Sequence, residues 1–227
     1  MMLQPSESLP RVPLVPAPWS LRGDAWIVLL KLPHDSPARH AFVPAELRAS
    51  VATPISALMC VDYFEAPCGP YRELLFIPGV MGFADGRSHP SISRILVSTW
   101  DSVVNGRINW GIPKDRADFD FARSASGDRL VVTSEGREMC ALAFEAPRGP
   151  RLPLRTSWVP ARVGLLAQLH EGRTYYYQPA ARGSARLCRL RDWRFDGRLF
   201  PDIASARVLA SLRVERFEMT FPRAAVC

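Results

Sequence analysis

The most reactive candidate in this chain is a lysine. Of its 29 basic residues only Lys31 and Lys114 are lysines; the others are arginines. Arginine does not give up its proton, whereas a lysine withdrawn from water can become a neutral amine and attack a carbonyl carbon. A lysine kept in a chain so biased toward arginine is a candidate for work that arginine cannot do. Lys114 has the more distinctive setting, Asn105-Gly-Arg-Ile-Asn-Trp-Gly-Ile-Pro-Lys114-Asp-Arg-Ala-Asp-Phe119. Pro113 fixes its own backbone and disfavours helix at Ile112, so the lysine falls on a defined turn. The chemistry sets a requirement. A free lysine, with a pKa of about 10.4, is neutral about once in 2,500 molecules at pH 7, and a working amine needs a shift of roughly 3–4 units. Desolvation acts in that direction because it penalises the ammonium form.

A second segment, Asp62-Tyr-Phe-Glu-Ala-Pro-Cys-Gly-Pro-Tyr71-Arg-Glu73, carries a turn followed by a strand. Residues two apart on a strand share a face, so Tyr71 and Glu73 are delivered together. Other chemistries find little footing. The five cysteines are odd in number and form no C-x-x-C pair, which argues against a disulfide framework and a structural zinc site. His34, His40, His89 and His170 are scattered without metal-ligand spacing, so no metal is expected. The net charge of +7 is spread along the chain without a nucleic-acid motif. A basic surface, or attraction to anionic substrates, is the expectation; salt-dependent nucleic-acid association is a weaker rival.

The elements that would position these residues are mainly strands. Runs at Asp24–Leu32, Ile55–Glu65, Tyr71–Ile77, Ile92–Trp100, Arg129–Thr133 and Met139–Glu145 are strand-like, with turn clusters between them. Val208–Phe221 alternates apolar and polar residues with a one-residue slip of the kind a bulge produces. Pro44–Ser50 fits a short helix, and Asp101 is placed to cap another running to about Asn109. Val163–Gln178 is open between a helix face and a hairpin. Many short strands separated by turns predict a sandwich or barrel. Residues 1–18 read as a proline-rich arm and residues 19–227 as a single domain. No run of about 18 apolar residues calls for a membrane span, and the N-terminus lacks the apolar core of a secretory signal. A cytoplasmic protein is expected.

Taken in order, several features resemble the acetoacetate decarboxylase-like superfamily. They are Trp19-Ser-Leu-Arg22-Gly before an apolar strand, Gly-Pro-Tyr71-x-Glu73, Gly106-Arg107, Pro113-Lys114, and a closing strand ending Phe217-Glu-Met-Thr-Phe-Pro-Arg223. The likeness runs from about Pro18 to the C-terminus. It implies a β-barrel of antiparallel strands with a few short helices around a small apolar pocket. On this resemblance Lys114 is the Schiff-base lysine and Glu73 a pocket carboxylate that positions substrate or handles protons. Arg22 lies near the position of a carboxylate-binding arginine. Arg107 braces the turn or binds a carboxylate, and Tyr71 and Trp110 line the pocket. The departures are Asp115 where the decarboxylases carry a second lysine, Ile108 where a glutamate follows Gly-Arg, and Leu58 at a further carboxylate position.

The implied activity is imine formation through Lys114 with a small keto acid, most favourably to decarboxylate it, with no cofactor. Aldol or dehydration chemistry through the same enamine is the near alternative. A non-catalytic barrel holding a small apolar ligand is the alternative of a different class. Exposed sheet edges and the resemblance together imply a homo-oligomer.

Overall fold

The computed structural model describes residues 9–160 and 164–227. In chain order the elements are β1 (Trp19–Lys31), β2 (Ser56–Glu65), β3 (Tyr71–Ile77), β4 (Val80–Gly82), β5 (Ser88–Pro90), β6 (Arg94–Val97), α1 (Trp100–Trp110), β7 (Lys114–Arg116), β8 (Asp118–Ser124), β9 (Gly127–Ser134), β10 (Arg137–Glu145), β11 (Arg148–Arg155), β12 (Leu166–His170), β13 (Arg173–Tyr177), β14 (Ala180–Leu187), β15 (Leu190–Phe195), β16 (Arg207–Phe221) and β17 (Ala225–Val226). An eight-stranded sheet runs β11-β14-β16-β1-β2-β3-β6-β7, antiparallel except between β6 and β7. Smaller sheets are β15-β10-β9-β8, β12-β13-β17 and β4-β5. The architecture is mainly β, as expected. The large sheet is open, however, because its end strands β11 and β7 do not pair with each other; among the described residues hydrogen bonds close no barrel.

The middle of the large sheet, β1, β2, β3 and β6, is buried on both faces, and strand alternation sorts its residues between two cores. On one face Trp26, Val28 and Leu30 of β1, Leu58 and Cys60 of β2, and Leu74 and Phe76 of β3 pack against Leu130, Val132, Leu142 and Phe144 of the four-stranded sheet. On the other face Leu21, Val61, Tyr63, Tyr71, Leu75 and Ile95 pack with Trp110, Ile112 and Tyr177. Two-sided burial is why β2 and β3 read as near-continuous apolar runs. It also moves Leu58 away from the candidate pocket: the β2 residues on the Glu73 face are Met59, Val61 and Tyr63.

Several sequence expectations shift in detail. The Pro44–Ser50 segment is a 3-10 helix over Ala45–Ser50. The ambiguous stretch resolves into the β12–β13 hairpin, in which Leu166 pairs with Tyr177 and His170 with Arg173. Helix α1 is capped by Thr99, whose side chain accepts from the Ser102 amide, and Asp101 lies in its first turn instead. Gly111 ends it at φ 61°, where Tyr175 would collide with any side chain. Asn105 and Asn109, one turn apart, hold the described part of the N-terminal arm: they accept from the amides of Val15 and Ala17 and donate to the carbonyls of Pro13 and Val15.

The slip in Val208–Phe221 is a bulge, where the register with β1 jumps from Ala25–Val214 to Gly23–Phe217. It serves a buried ionic cluster. Arg213 lies between Asp24, at 2.9 Å, and Asp128, with its guanidinium 3.9 Å from the centre of the Trp26 ring. The bulged Arg216 amide donates to Asp24 at 2.7 Å, and Trp26 donates to Asp128 at 3.1 Å. Removing one member of a buried ion pair leaves its partners uncompensated, at a cost of about 3–5 kcal/mol. Arg213→Ala is therefore expected to lose at least about 3 kcal/mol in urea denaturation. A loss below about 1 kcal/mol would show that the cluster does not hold β1 and β16 together.

Candidate active site

Lys114 opens β7, and its register is fixed by parallel pairing with Ile95 of β6. Its side chain is turned inward and is only 3% exposed. The amine lies 3.0 Å from Glu73 Oε2 and donates to Ser102 Oγ at 3.0 Å. The Tyr71 ring centre is 4.9 Å away, within cation–π range. Glu73, 5% exposed, receives a second, longer hydrogen bond from the Tyr63 hydroxyl at 3.4 Å. Burial, and then the Glu73 carboxylate, push the phenols of Tyr63 and Tyr71 well above the ordinary tyrosine range. Both rings therefore stay protonated at neutral pH, and Tyr63 acts as a donor to the carboxylate.

Neighbours on an extended chain point to opposite sides. Asp115 accordingly leaves the amine and is taken by two arginines: Arg107 at 2.7 Å and Arg94. Arg107 also donates to the Lys114 carbonyl at 2.9 Å. The negative charge next to the lysine in sequence is thus neutralised outside the site. Arg107 braces the turn and does not face the cavity.

Lys114, Glu73, Tyr71 and Trp110 come together around a small chamber of about 40 Å³. Trp110 donates to the Pro222 carbonyl at 2.6 Å and meets Trp19 edge-on. Arg22 is not brought to this place. Its side chain is 49% exposed and paired with Glu65 at 3.1 Å, while its neighbour Leu21 lines the chamber. Ile108 is 56% exposed on the outer side of α1, so its replacement of a glutamate does not alter the chamber wall. Ser102 and Tyr63 were missed. Ser102 sits in the first turn of α1, which the sequence signals only through Asp101 as a candidate cap. Tyr63 carried no sequence signal: its place beside Glu73 follows from the β2–β3 register, in which Val61 pairs with Glu73 and Tyr63 with Tyr71.

A larger, mainly apolar cavity of about 300 Å³ adjoins the chamber. Tyr63, Glu73, Leu75, Ile92 and Phe221 line both, so the carboxylate stands at their junction. An amine and a carboxylate in hydrogen-bond contact, walled by aromatic and aliphatic side chains, can exchange a proton without changing the net charge of the site. Such a pair is equipped for carbonyl condensation. Among the described residues no group of three or more His, Cys, Asp or Glu side chains is arranged to hold a metal, and no helix is long and apolar enough to cross a membrane.

No protein-family profile matches the sequence, and no curated protein matches it. Solved structures do. Acetoacetate decarboxylase from Legionella pneumophila superposes with a TM-score of 0.71 at 12% identity, covering 98% of this chain and 92% of that one. The enduracididine biosynthesis enzyme MppR, solved in complex with pyruvate, gives 0.64 at 17% identity over 94% of this chain and 91% of its own. An acetoacetate decarboxylase-like enzyme from Sphingomonas wittichii RW1 gives 0.63 at 15% identity, covering 100% and 97%. At these identities the likeness establishes the fold.

Gly106 explains part of the Gly-Arg signature. A Cβ there would sit 2.6 Å from Lys114 Cδ and 2.9 Å from Cε, so the lysine stem crosses α1 only because this residue has no side chain. Gly106→Ala is expected to push the amine off Glu73 while leaving the secondary structure intact. Competitive acetylation read by mass spectrometry checks this, with exposed Lys31 as the internal standard. The Lys114 to Lys31 labelling ratio should rise several-fold in the variant, and an unchanged ratio would refute the steric account.

Proposed function

Given the acetoacetate decarboxylase-like fold of this chain, we propose that it is a Schiff-base enzyme in which Lys114 condenses with a carbonyl compound. The observation that carries the proposal is the Lys114–Glu73 contact at 3.0 Å inside an apolar chamber. Transfer of one proton from Nζ to Glu73 leaves a neutral amine and a neutral acid with no net charge to bury. The amine attacks the carbonyl carbon, and one of its protons passes to the carbonyl oxygen to give a carbinolamine. Glu73 returns the proton to the departing hydroxyl, water leaves, and an iminium forms. Ser102 aims the amine, and the Tyr63 hydroxyl holds the far oxygen of Glu73.

For a 3-oxo acid, the iminium accepts the electron pair of the bond to the carboxylate. Carbon dioxide leaves, the resulting enamine is protonated at carbon, and water hydrolyses the imine to the ketone and free lysine. A carboxylate held near Glu73 in an apolar cavity is poorly stabilised, and its loss as a neutral gas relieves that strain. Decarboxylation is the reading the fold resemblance favours. A second reading rests on one observation: among the described residues Lys114 is the only cationic side chain lining the small chamber. A carbonyl compound with no carboxylate at that end would suit it, and the enamine would then be used in an aldol or dehydration reaction. A structure of MppR holds a condensation product of pyruvate and imidazole 4-carboxaldehyde, which is consistent with such use of this fold. The substrate is a small molecule in either case, and the homo-oligomeric, cytoplasmic protein expected from the sequence belongs to the same proposal.

Sodium borohydride reduction in the presence of ketones and keto acids tests the proposal. The expected result is an intact-mass adduct, mapped by proteolysis to Lys114 and absent in both Lys114→Ala and Lys114→Arg. The arginine variant keeps a positive charge at residue 114, without the fit of an ammonium, and cannot supply a neutral amine. Glu73→Gln should slow adduct formation by roughly 10²-fold or more, the range of general acid–base assistance. No adduct across a broad panel would leave a non-catalytic ligand-binding protein.

A further inference from the structure

We infer that the substrate is a methyl ketone with a long apolar tail, or the 2-alkyl-3-oxobutanoate that yields such a ketone by losing carbon dioxide. The inference rests on the Schiff-base reading for the location of the carbonyl and on cavity shape for everything else. The carbonyl carbon must lie beside Lys114 and Glu73, at the junction of two unequal spaces. On one side is the chamber of about 40 Å³, bounded by Trp19, Trp110 and Ile112. On the other is the cavity of about 300 Å³. A cavity of about 150 Å³ accommodates benzene, with its six carbons. The same proportion gives the small chamber one or two non-hydrogen atoms and the large one on the order of ten.

The walls set the chemistry of each substituent. The small chamber is bounded by packed aromatic rings, and Trp110 is fixed both to Trp19 and to the Pro222 carbonyl, so it does not readily enlarge. It fits a methyl group. The large cavity is lined by Ile27, Met59, Val61, Ile77, Val214 and Phe217, among others. Arg182, one of its few charged linings, is held by Glu218 at 2.5 Å. An alkyl or arylalkyl tail is the occupant such walls stabilise, at about 0.8 kcal/mol, roughly a factor of four, per buried methylene. A three- or four-carbon substrate would leave most of this space unfilled.

The borohydride assay also reads this inference, with ketones as probes. Half-saturation for adduct formation should fall at least about tenfold from 2-butanone to 2-nonanone. The isomer 5-nonanone, with equal carbon count and no methyl beside the carbonyl, should be trapped at least about tenfold less well than 2-nonanone. Met59→Trp and Ile27→Phe, which narrow the large cavity, should each reduce the 2-nonanone to 2-butanone preference; the isomer comparison on the unaltered protein does not depend on either variant folding. Equal trapping of the two nonanones, or a preference for 2-butanone, overturns the inference and leaves the Schiff-base proposal standing. Calorimetry without borohydride separates the opposite failure. If no ketone is ever reduced onto Lys114 but 2-nonanone binds at least about tenfold more tightly than 2-butanone and 5-nonanone, the cavity reading holds and the catalytic one falls. Equal or absent binding in that case overturns both.

Discussion

The contact between the Lys114 amine and the Glu73 carboxylate is the constraint around which this half of the molecule is organised. Each group is nearly sealed from water. Moving a single charge into such a place costs several kcal/mol, and the cost is tolerable only when an opposite charge and further hydrogen bonds meet it. Glu73 and Lys114 meet it mutually, with Ser102 and Tyr63 taking the remaining bonds. A second anion beside the amine would upset that balance. Asp115 is the obvious one, and Arg94 and Arg107 remove it to the opposite side of β7. The chain thus separates two adjacent ion pairs by the alternation of a three-residue strand.

The central sheet makes that separation possible. Because both faces of its middle are covered, β1, β2, β3 and β6 each contribute one set of side chains to a closed hydrocarbon core and the other to the cavity layer. Val61 pairs with Glu73 and Leu75 with Ile95, so the cavity-facing residues of β2, β3 and β6 stand in register. The Arg213 cluster does the complementary work at β1 and β16, where Asp24 satisfies the bulged Arg216 amide and the register recovers.

These two-sided strands also explain what the sequence disclosed and what it concealed. The pairing of Tyr71 with Glu73 on one face was legible because a strand has period two and the turn at Gly69-Pro70 set its start. β3 begins at Tyr71 as expected. The face of β2 was not legible. An uninterrupted apolar run gives no sign of which residues look at which layer, and Leu58 was assigned to the wrong one. Arg22 misled for a related reason, since a shift of one residue along β1 exchanges it for Leu21. Closure into a barrel is a property of how distant edges meet, and nothing local encodes it. The β12–β13 hairpin was hidden by leucines whose spacing also fits a helix, and Glu171-Gly172 decided the matter through a turn with both residues at positive φ.

The lysine bias behaves differently from these patterns. It singled out two residues, and one of them, Lys31, lies exposed at the end of β1. Scarcity alone therefore does not distinguish a working lysine from a surviving one. The distinction comes from the cost of burial. Arginine would fill the Lys114 site poorly: its planar fork needs several acceptors in one plane, while the chamber offers one carboxylate and one hydroxyl around a point. An ammonium matches that geometry and can also surrender its proton to the carboxylate it touches. On the proposed reading, the fit of lysine to the site and its use in carbonyl chemistry have the same origin, a buried acceptor set too small for a guanidinium and within hydrogen-bond reach of the amine.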